Sequence, residues 1–475
     1  MSDRLYRWFD KRLGVSGFAR SALDKIFPDN WSFMLGEVAL YCLLILVFTG
    51  IYLTMFFVPS AKDVMYHGSY GPLKGVHMSQ AYESTVRISF DVRAGLVIRQ
   101  MHHWAALLFL AAIVMHLCRI FFTGAFRRPR ELNWIIGLTL FVLALGNGFT
   151  GYSLPDDLLS GSGLRIAYSI ALSIPFVGTW LAFLFFGGEF PSPDINSRLF
   201  SIHILLVPAA IFALLGAHLA ILWHQKHTQF PGPGRTEDNI EGSHLWPTYA
   251  LRSMGLFAGI VALLSFLAGV AQINPIWLYG PFDPAAVSTA AQPDWYMGWL
   301  EGALRLFPAW RIHLFNHTVS ELFWPGVVLP SLTFALFYAW PFLEAHFSGD
   351  HDDHELLDRP RDRPVRTPIG LAALTFYFVL FLAGSQDIIA QKLGAAIDPV
   401  TWTLRVLLVV LPVLAFFIAR KVCHDLQGAE RHEARKDEIR QRISVPEHGS
   451  TDGRDDGGGG GGGVDEKEPE PSLTD

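Results

Sequence analysis

Eight stretches of the chain are apolar for long enough to cross a lipid bilayer: 33–57, 97–122, 134–154, 199–223, 253–273, 323–345, 368–385 and 402–419. A spanning helix needs roughly 20 such residues. A ninth stretch, 164–187, is nearly as apolar, but Pro175 and Gly178 interrupt it midway. Two short helices lying at the membrane surface are predicted there instead. Basic residues gather at particular helix ends: Arg4, Arg7, Lys11, Arg12, Arg20 and Lys25 before the first, Arg119, Arg127, Arg128 and Arg130 at the close of the second. Lys226 and Arg235 follow the fourth, Arg359, Arg361, Arg363 and Arg366 separate the sixth from the seventh, and Arg420 and Lys421 end the eighth. With 164–187 on the surface, all of these share one side, which the positive-inside bias makes cytoplasmic. The pattern thus predicts an all-α, multi-pass protein of the cell membrane with eight spanning helices and both termini cytoplasmic.

Composition sharpens this. Only 17% of the 475 residues are charged and 51% are hydrophobic, where a soluble protein carries roughly 25% charge. The formal charge of −6 comes from the end of the chain. From Pro446 onward nine acids stand against Arg454 and Lys467, which leaves +1 for everything before. Nothing in this balance suggests a nucleic-acid partner. Cys42, Cys118 and Cys423 form neither a disulfide framework nor a Cys-x-x-Cys cluster. The organisation expected is a basic cytoplasmic segment (1–30) without the apolar run of a cleaved leader, a four-helix bundle (31–228), further spanning helices (229–422), and a charged cytoplasmic tail (423–475). Within that tail 424–443 has the composition of a solvated helix. The seven glycines at 457–463, with the acids and prolines after them, read as disordered.

Candidate chemistry lies in four histidines. His102 and His116 share the second apolar stretch, and His203 and His218 the fourth. Ionisable side chains at bilayer depth are costly and mark functional sites. Fourteen residues turn a helix by about 1400° and fifteen by about 1500°, so each pair keeps to one helix face, within about 40° and 60° of four full turns. The rise of about 21–22 Å sets one histidine in each leaflet. Two such helices side by side present two levels of facing imidazoles, the arrangement that holds a flat haem by both axial positions. Zinc would find only two of its four ligands at each level. No Cys-x-x-Cys-His is present for covalent attachment, so two noncovalent b-type haems are expected. Gly36 and Gly50, and Gly137 and Gly151, repeat the fourteen-residue interval and would let a haem edge approach the backbone. Arg99 and Arg119 flank the histidines toward opposite faces and could pair with haem propionates. Two other classes remain open on these residues: a diheme subunit that only relays electrons, and a transporter whose histidines relay protons.

Taken with Arg198, Gly151-Tyr152-Ser153-Leu154-Pro155 and Pro293-Asp294-Trp295-Tyr296, the pattern over about 29–419 resembles cytochrome b, the core subunit of the quinol–cytochrome c reductases. The resemblance implies that His102 and His203 bind a low-potential haem near the outer face, and His116 and His218 a high-potential haem near the cytoplasm. It implies a quinol-oxidising site at Pro293, Asp294, Trp295 and Tyr296 with Tyr152 on the opposite wall, Asp294 taking a proton from quinol. The alternative for Asp294 is a helix cap. A quinone-reducing site is implied near His224, Trp246, Tyr249 and Arg252. Departures from the family pattern are Asp294 for glutamate, Asp156-Asp157 for Trp-Gly, the fifteen-residue interval, and Arg252-Ser253 where mitochondrial members carry Lys-Asp. The unsplit length and the Asp-Asp loop resemble the actinobacterial branch. That likeness implies menaquinol, a Rieske iron–sulfur subunit, a diheme cytochrome cc subunit, a terminal oxidase supercomplex and a homodimer.

Overall fold

The computed structural model describes residues 7–8, 10–12, 14–286, 292–314 and 317–444. Eight helices among them are long and apolar enough to span a membrane. In chain order the helices used below are α1 (Trp31–Thr54), α2 (Gly95–Thr123), α3 (Glu131–Ser153), the short α4 (Leu158–Leu172) and α5 (Gly178–Phe186), and α6 (Ile195–Gln225). There follow α7 (Leu245–Val270), the short α8 (Gly298–Leu306), α9 (Trp324–Ser348), α10 (Arg366–Ala383) and α11 (Ile397–Ser444). All eight expected spans are present. Most run past their apolar stretches because polar groups set their ends. Asn30 accepts from Ser32 N–H ahead of α1, and Gly124 closes α2 in the left-handed conformation.

The chain divides into two units, one ending at His424 and one beginning at Asp425. The second unit is helical over 425–444 and largely exposed over 425–440. The expected disordered tail, with its glycine run, lies outside the described residues.

The doubtful stretch 164–187 contributes to two short helices, as its proline and glycine indicate. Asp157 opens α4 with a capping box shared with Ser160, and a turn through Ser173 and Phe176, the latter at φ 65°, reverses the chain into α5. The pair is too short to span, so α6 runs parallel to α2. This settles the pairing of the histidines: the His102 and His203 rings are 6.2 Å apart.

Helices α1, α2, α3 and α6 form the bundle. Cys42, Ile45, Ala105, Ile260 and Leu264 pack α1, α2 and α7 together, while Leu110, Ala144 and Leu145 close on Tyr296. Large apolar side chains such as Phe48, Leu332 and Val409 stay exposed, as lipid-facing positions do. At one end the loops after α2, α6 and α9 knit together: Asp358 N–H reaches Thr123 O at 2.9 Å, and Gln229 N–H reaches Glu355 O at 3.0 Å. Arg366, almost wholly buried there, holds Asp358 at 2.7 Å and Glu344 at 2.9 Å. Burial pulls the Asp358 carboxyl up, but Arg363, Arg127 and Arg366 together hold it below its ordinary value. The loop after α3 and the loop after α7 meet at the other end, where Phe282 N–H bonds Asp156 O at 3.0 Å.

Cysteines introduced at the exposed Glu189 and Asp353 should therefore react with a membrane-impermeant maleimide from opposite sides of sealed vesicles. Labelling of both from the same side would overturn this topology.

Candidate functional site

Each expected histidine meets a glycine of a neighbouring helix. A Cβ added at Gly50 would lie 3.3 Å from His102 Cε1, and at Gly36 3.4 Å from His116 Cε1. At Gly137 and Gly151 the distances to His218 and His203 are 3.4 and 2.4 Å. The glycines thus leave room for the imidazole rings.

The fifteen-residue interval in α6 also has a local cause. Over Ile202–Leu206 the helix widens into a π-bulge, in which Val207 N–H bonds back five residues to Ile202 O. A bulge of this kind absorbs one extra residue, so His203 and His218 recover nearly the register of His102 and His116.

Hydrogen bonds fix the ring orientation at the His102–His203 level, the outer one in the topology expected from the basic loops. His203 Nδ1 lies 2.9 Å from Asn147 O, an acceptor, so Nδ1 carries the proton and Nε2 keeps its lone pair. Thr49 donates to Ile45 O at 2.6 Å and so accepts from His102 Nδ1 at 2.9 Å, with the same result. An imidazole oriented through Nδ1 is the usual state of a metal-ligating histidine. At the inner level His116 and His218 line a cavity of about 440 Å³ together with Gly36, Gly137, Arg119 and Arg130. Both rings leave Nδ1 without a partner there.

Arg99 is buried and Arg119 half-buried, each with N–H groups to spare. Arg99 bonds Asn274 O at 3.4 Å but has no partner for Nε, and Arg119 has none for Nε or Nη2. A buried cation left without an anion costs several kcal/mol, on the order of the desolvation penalty of a single ion. Such a site fits a ligand that brings its own carboxylates. Among the described residues no three His, Cys, Asp or Glu side chains gather to hold a bare metal ion. Two imidazoles per level and a cation beside them together fit a haem.

A smaller cavity of about 90 Å³ lies at the outer end, lined by Tyr152, Gln292, Pro293, Asp294, Tyr296 and Glu301. Trp295 stands outside that lining. Asp294 makes no cap bond to the helix that follows. Its carboxylate instead meets His103 Nε2 at 2.9 and 3.0 Å and accepts from Tyr296 OH at 3.3 Å. The capping alternative therefore fails. Burial and the neighbouring carboxylate raise the Tyr296 hydroxyl well above its ordinary range. Burial also raises Glu301, against the pull of Arg305, whose guanidinium bridges it to Asp387 at 2.8 Å. Sequence reasoning missed His103 and Glu301. A second histidine beside His102, turned about 100° from it, was the available signal.

At the inner end only part of the expected set comes together. Tyr249 lines the large cavity, whereas His224 is exposed and outside its lining, six residues beyond His218 and so on another helix face. Arg252 is engaged with Asp29 at the surface, and Trp246 is exposed. Two unforeseen residues stand in their place, Glu37 and His227. Phe27 links His227 to Tyr249, its ring 4.5 Å from both, and Glu37 accepts from the Tyr249 hydroxyl. Burial, with Lys25, Arg119 and Arg130 nearby, lowers His227 to about 4, so it is neutral at physiological pH.

Gly151→Ala should cost about 1–3 kcal/mol, because the new methyl collides with the His203 ring. Gly146→Ala, whose methyl meets nothing within 4 Å, should be neutral or slightly stabilising. Thermal melts of the two detergent-solubilised variants compare them directly, and equal melts would remove the proposed contact.

Comparison with known proteins gives these pairs their context. Residues 107–281 match the family described as cytochrome b (N-terminal)/b6/petB. The chain is 54% identical over 423 residues to the cytochrome bc1 complex cytochrome b subunit of Mycobacterium leprae, covering 89% of this chain and 77% of that one. The subunit of the same name from Streptomyces coelicolor is 50% identical over 430 residues, 90% of this chain and 79% of its own. That from Corynebacterium efficiens is 49% identical over 422 residues, with 89% and 78% covered. Among solved structures, a chain of the hyperthermophilic respiratory complex III superposes with a TM-score of 0.66 at 20% identity, covering 88% of this chain and 98% of its own, a likeness of fold. By its identity to these subunits across nearly nine-tenths of its length, the chain belongs to the cytochrome b subunits of cytochrome bc1 complexes, the quinol–cytochrome c oxidoreductases.

Proposed function

We propose that this chain oxidises quinol in the Asp294 pocket at the outer face and reduces quinone at the inner end of the large cavity. In this reading His102 and His203 hold the outer of two noncovalent b haems and His116 and His218 the inner one. Arg99 and Arg119 pair with the propionates, and Gly36, Gly50, Gly137 and Gly151 seat the ligand rings. When bound, the haems supply one-electron carriers between the two pockets. The observation that carries the reading is the pairing of α2 and α6 histidines at two levels, His102 with His203 ring to ring and His116 with His218 on one cavity, with a carboxylate pocket near the first pair and Glu37, His227 and Tyr249 also lining the cavity of the second. A subunit that only relayed electrons would have no use for the outer pocket.

One electron from each quinol goes to a Rieske iron–sulfur partner and the other toward the inner face. The resemblance of the Asp156-Asp157 loop and the unsplit chain to actinobacterial members supports menaquinol as substrate. It equally supports a diheme cytochrome cc subunit, a terminal oxidase partner and a homodimer in the plasma membrane with cytoplasmic termini. Pro293 and Tyr152 bound the quinol pocket. Asp294 accepts a quinol proton within hydrogen-bond reach or through one water. His103, on the far side of the carboxylate, orients it and takes up the charge that follows. Tyr296, kept protonated by burial, donates to the same carboxylate. Apolar walls from α4 and α8 keep bulk water from the pocket.

Asp294→Asn keeps the shape of the side chain and removes the base. Quinol oxidation should fall by about 10²-fold or more, while haem content and melting temperature hold. Unchanged quinol oxidation at every pH assayed would refute the role.

A further inference from the structure

Glu37 is the sole charged residue among the 24 of α1, and it lies near the start of an apolar span. Carboxyl groups at such positions are expensive and face cavities or partners. This one lines the inner end of the large cavity, beside Tyr249 and His227. Its Oε1 accepts from the Tyr249 hydroxyl and its Oε2 from Ser253, with the Tyr41 hydroxyl 3.5 Å from Oε2. Tyr41 and Ser253 are also bonded to each other.

The partners of this carboxyl are hydroxyl groups. Several other carboxylates are held by arginine instead: Glu344 and Asp358 by Arg366, Glu355 by Arg130, Asp29 by Arg252. An arginine only donates, so it favours the charged carboxylate alone. Hydroxyl groups donate or accept. The Tyr249–Ser253–Tyr41 cluster can therefore hold Glu37 as carboxylate or as acid with no change of partners. Among the described residues, the other charged or titratable groups lining that end are Arg119 of α2, Arg130 ahead of α3, and His227 after α6.

We propose that Glu37 is the residue that protonates quinone at the inner site. This rests on reading that end of the cavity as the quinone-reducing site. The quinone gains two electrons, which the complex's own quinol oxidation supplies, and two protons. One proton leaves the Glu37 carboxyl, its O–H bond breaking as an O–H bond forms on one quinone oxygen. The other quinone oxygen takes its proton from cytoplasmic water, and water reprotonates the Glu37 carboxylate.

The test uses the whole complex with Glu37→Gln, Glu37→Asp and Tyr249→Phe, and an azido-naphthoquinone as photolabel. Haem spectra and labelling of the inner cavity should match the unsubstituted complex in all three. Quinone reduction with its proton uptake should fall about tenfold or more in Glu37→Gln, partly recover in Glu37→Asp, and fall less in Tyr249→Phe. The infrared difference spectrum between quinone and quinol states should lose a carboxylic C=O band in Glu37→Gln alone, a change that a merely structural role would not produce. If Glu37→Gln labels normally but reduces quinone at the full rate with that band intact, Glu37 is not the donor and the site reading stands. If the photolabel attaches elsewhere in the unsubstituted complex, the site reading falls and the proposal with it. Should Glu37→Gln fail to assemble, a full rate in Tyr249→Phe with no carboxylic band in the unsubstituted complex overturns the proposal.

Discussion

The structure is organised around four imidazoles set in two pairs across an apolar bundle. A ring facing a ring at 6.2 Å requires α2 and α6 to run parallel. That in turn requires the connection between α3 and α6 to stay on one side of the membrane. Helices α4 and α5, broken at Ser173–Val177, meet this condition. Room for each ring comes from a glycine on α1 or α3, and register along α6 from one widened turn at Ile202–Leu206. The unpaired N–H groups of Arg99 and Arg119 mark where negative charge is to come.

On the proposed reading, the two ends of the bundle handle protons by different means. At the outer end Asp294 sits between a histidine and a tyrosine, and Glu301 is tied through Arg305 to Asp387, so charge is shared among fixed partners. At the inner end hydroxyls surround Glu37, which can change protonation without losing a contact. A pocket that releases protons and one that takes them up make opposite demands on their carboxyls.

Much of this was legible in the sequence because it rests on period and interval. Apolar length gave the spans, Pro175 and Gly178 split the ninth stretch, and fourteen-residue spacings paired histidines with glycines. What escaped depends on the third dimension. His103 is adjacent to His102 in the chain yet serves a different pocket, reached through Asp294 some 190 residues away in sequence. Glu37 bonds Tyr249 from another helix, and His227 reaches that tyrosine only through Phe27. His224 and Arg252, inferred from resemblance, face away because spacing along α6 and a surface partner on Asp29 turn them outward. The fifteen-residue interval pointed to a misfit, but only the backbone reveals the bulge that cures it.

The central claim, that the two histidine pairs each hold a haem, is tested most directly by counting. A pyridine haemochrome assay on the purified protein, normalised to chain concentration, should give two haems of b type per chain, both extracted by acidified acetone. One haem per chain, none, or haem that resists extraction would contradict the account.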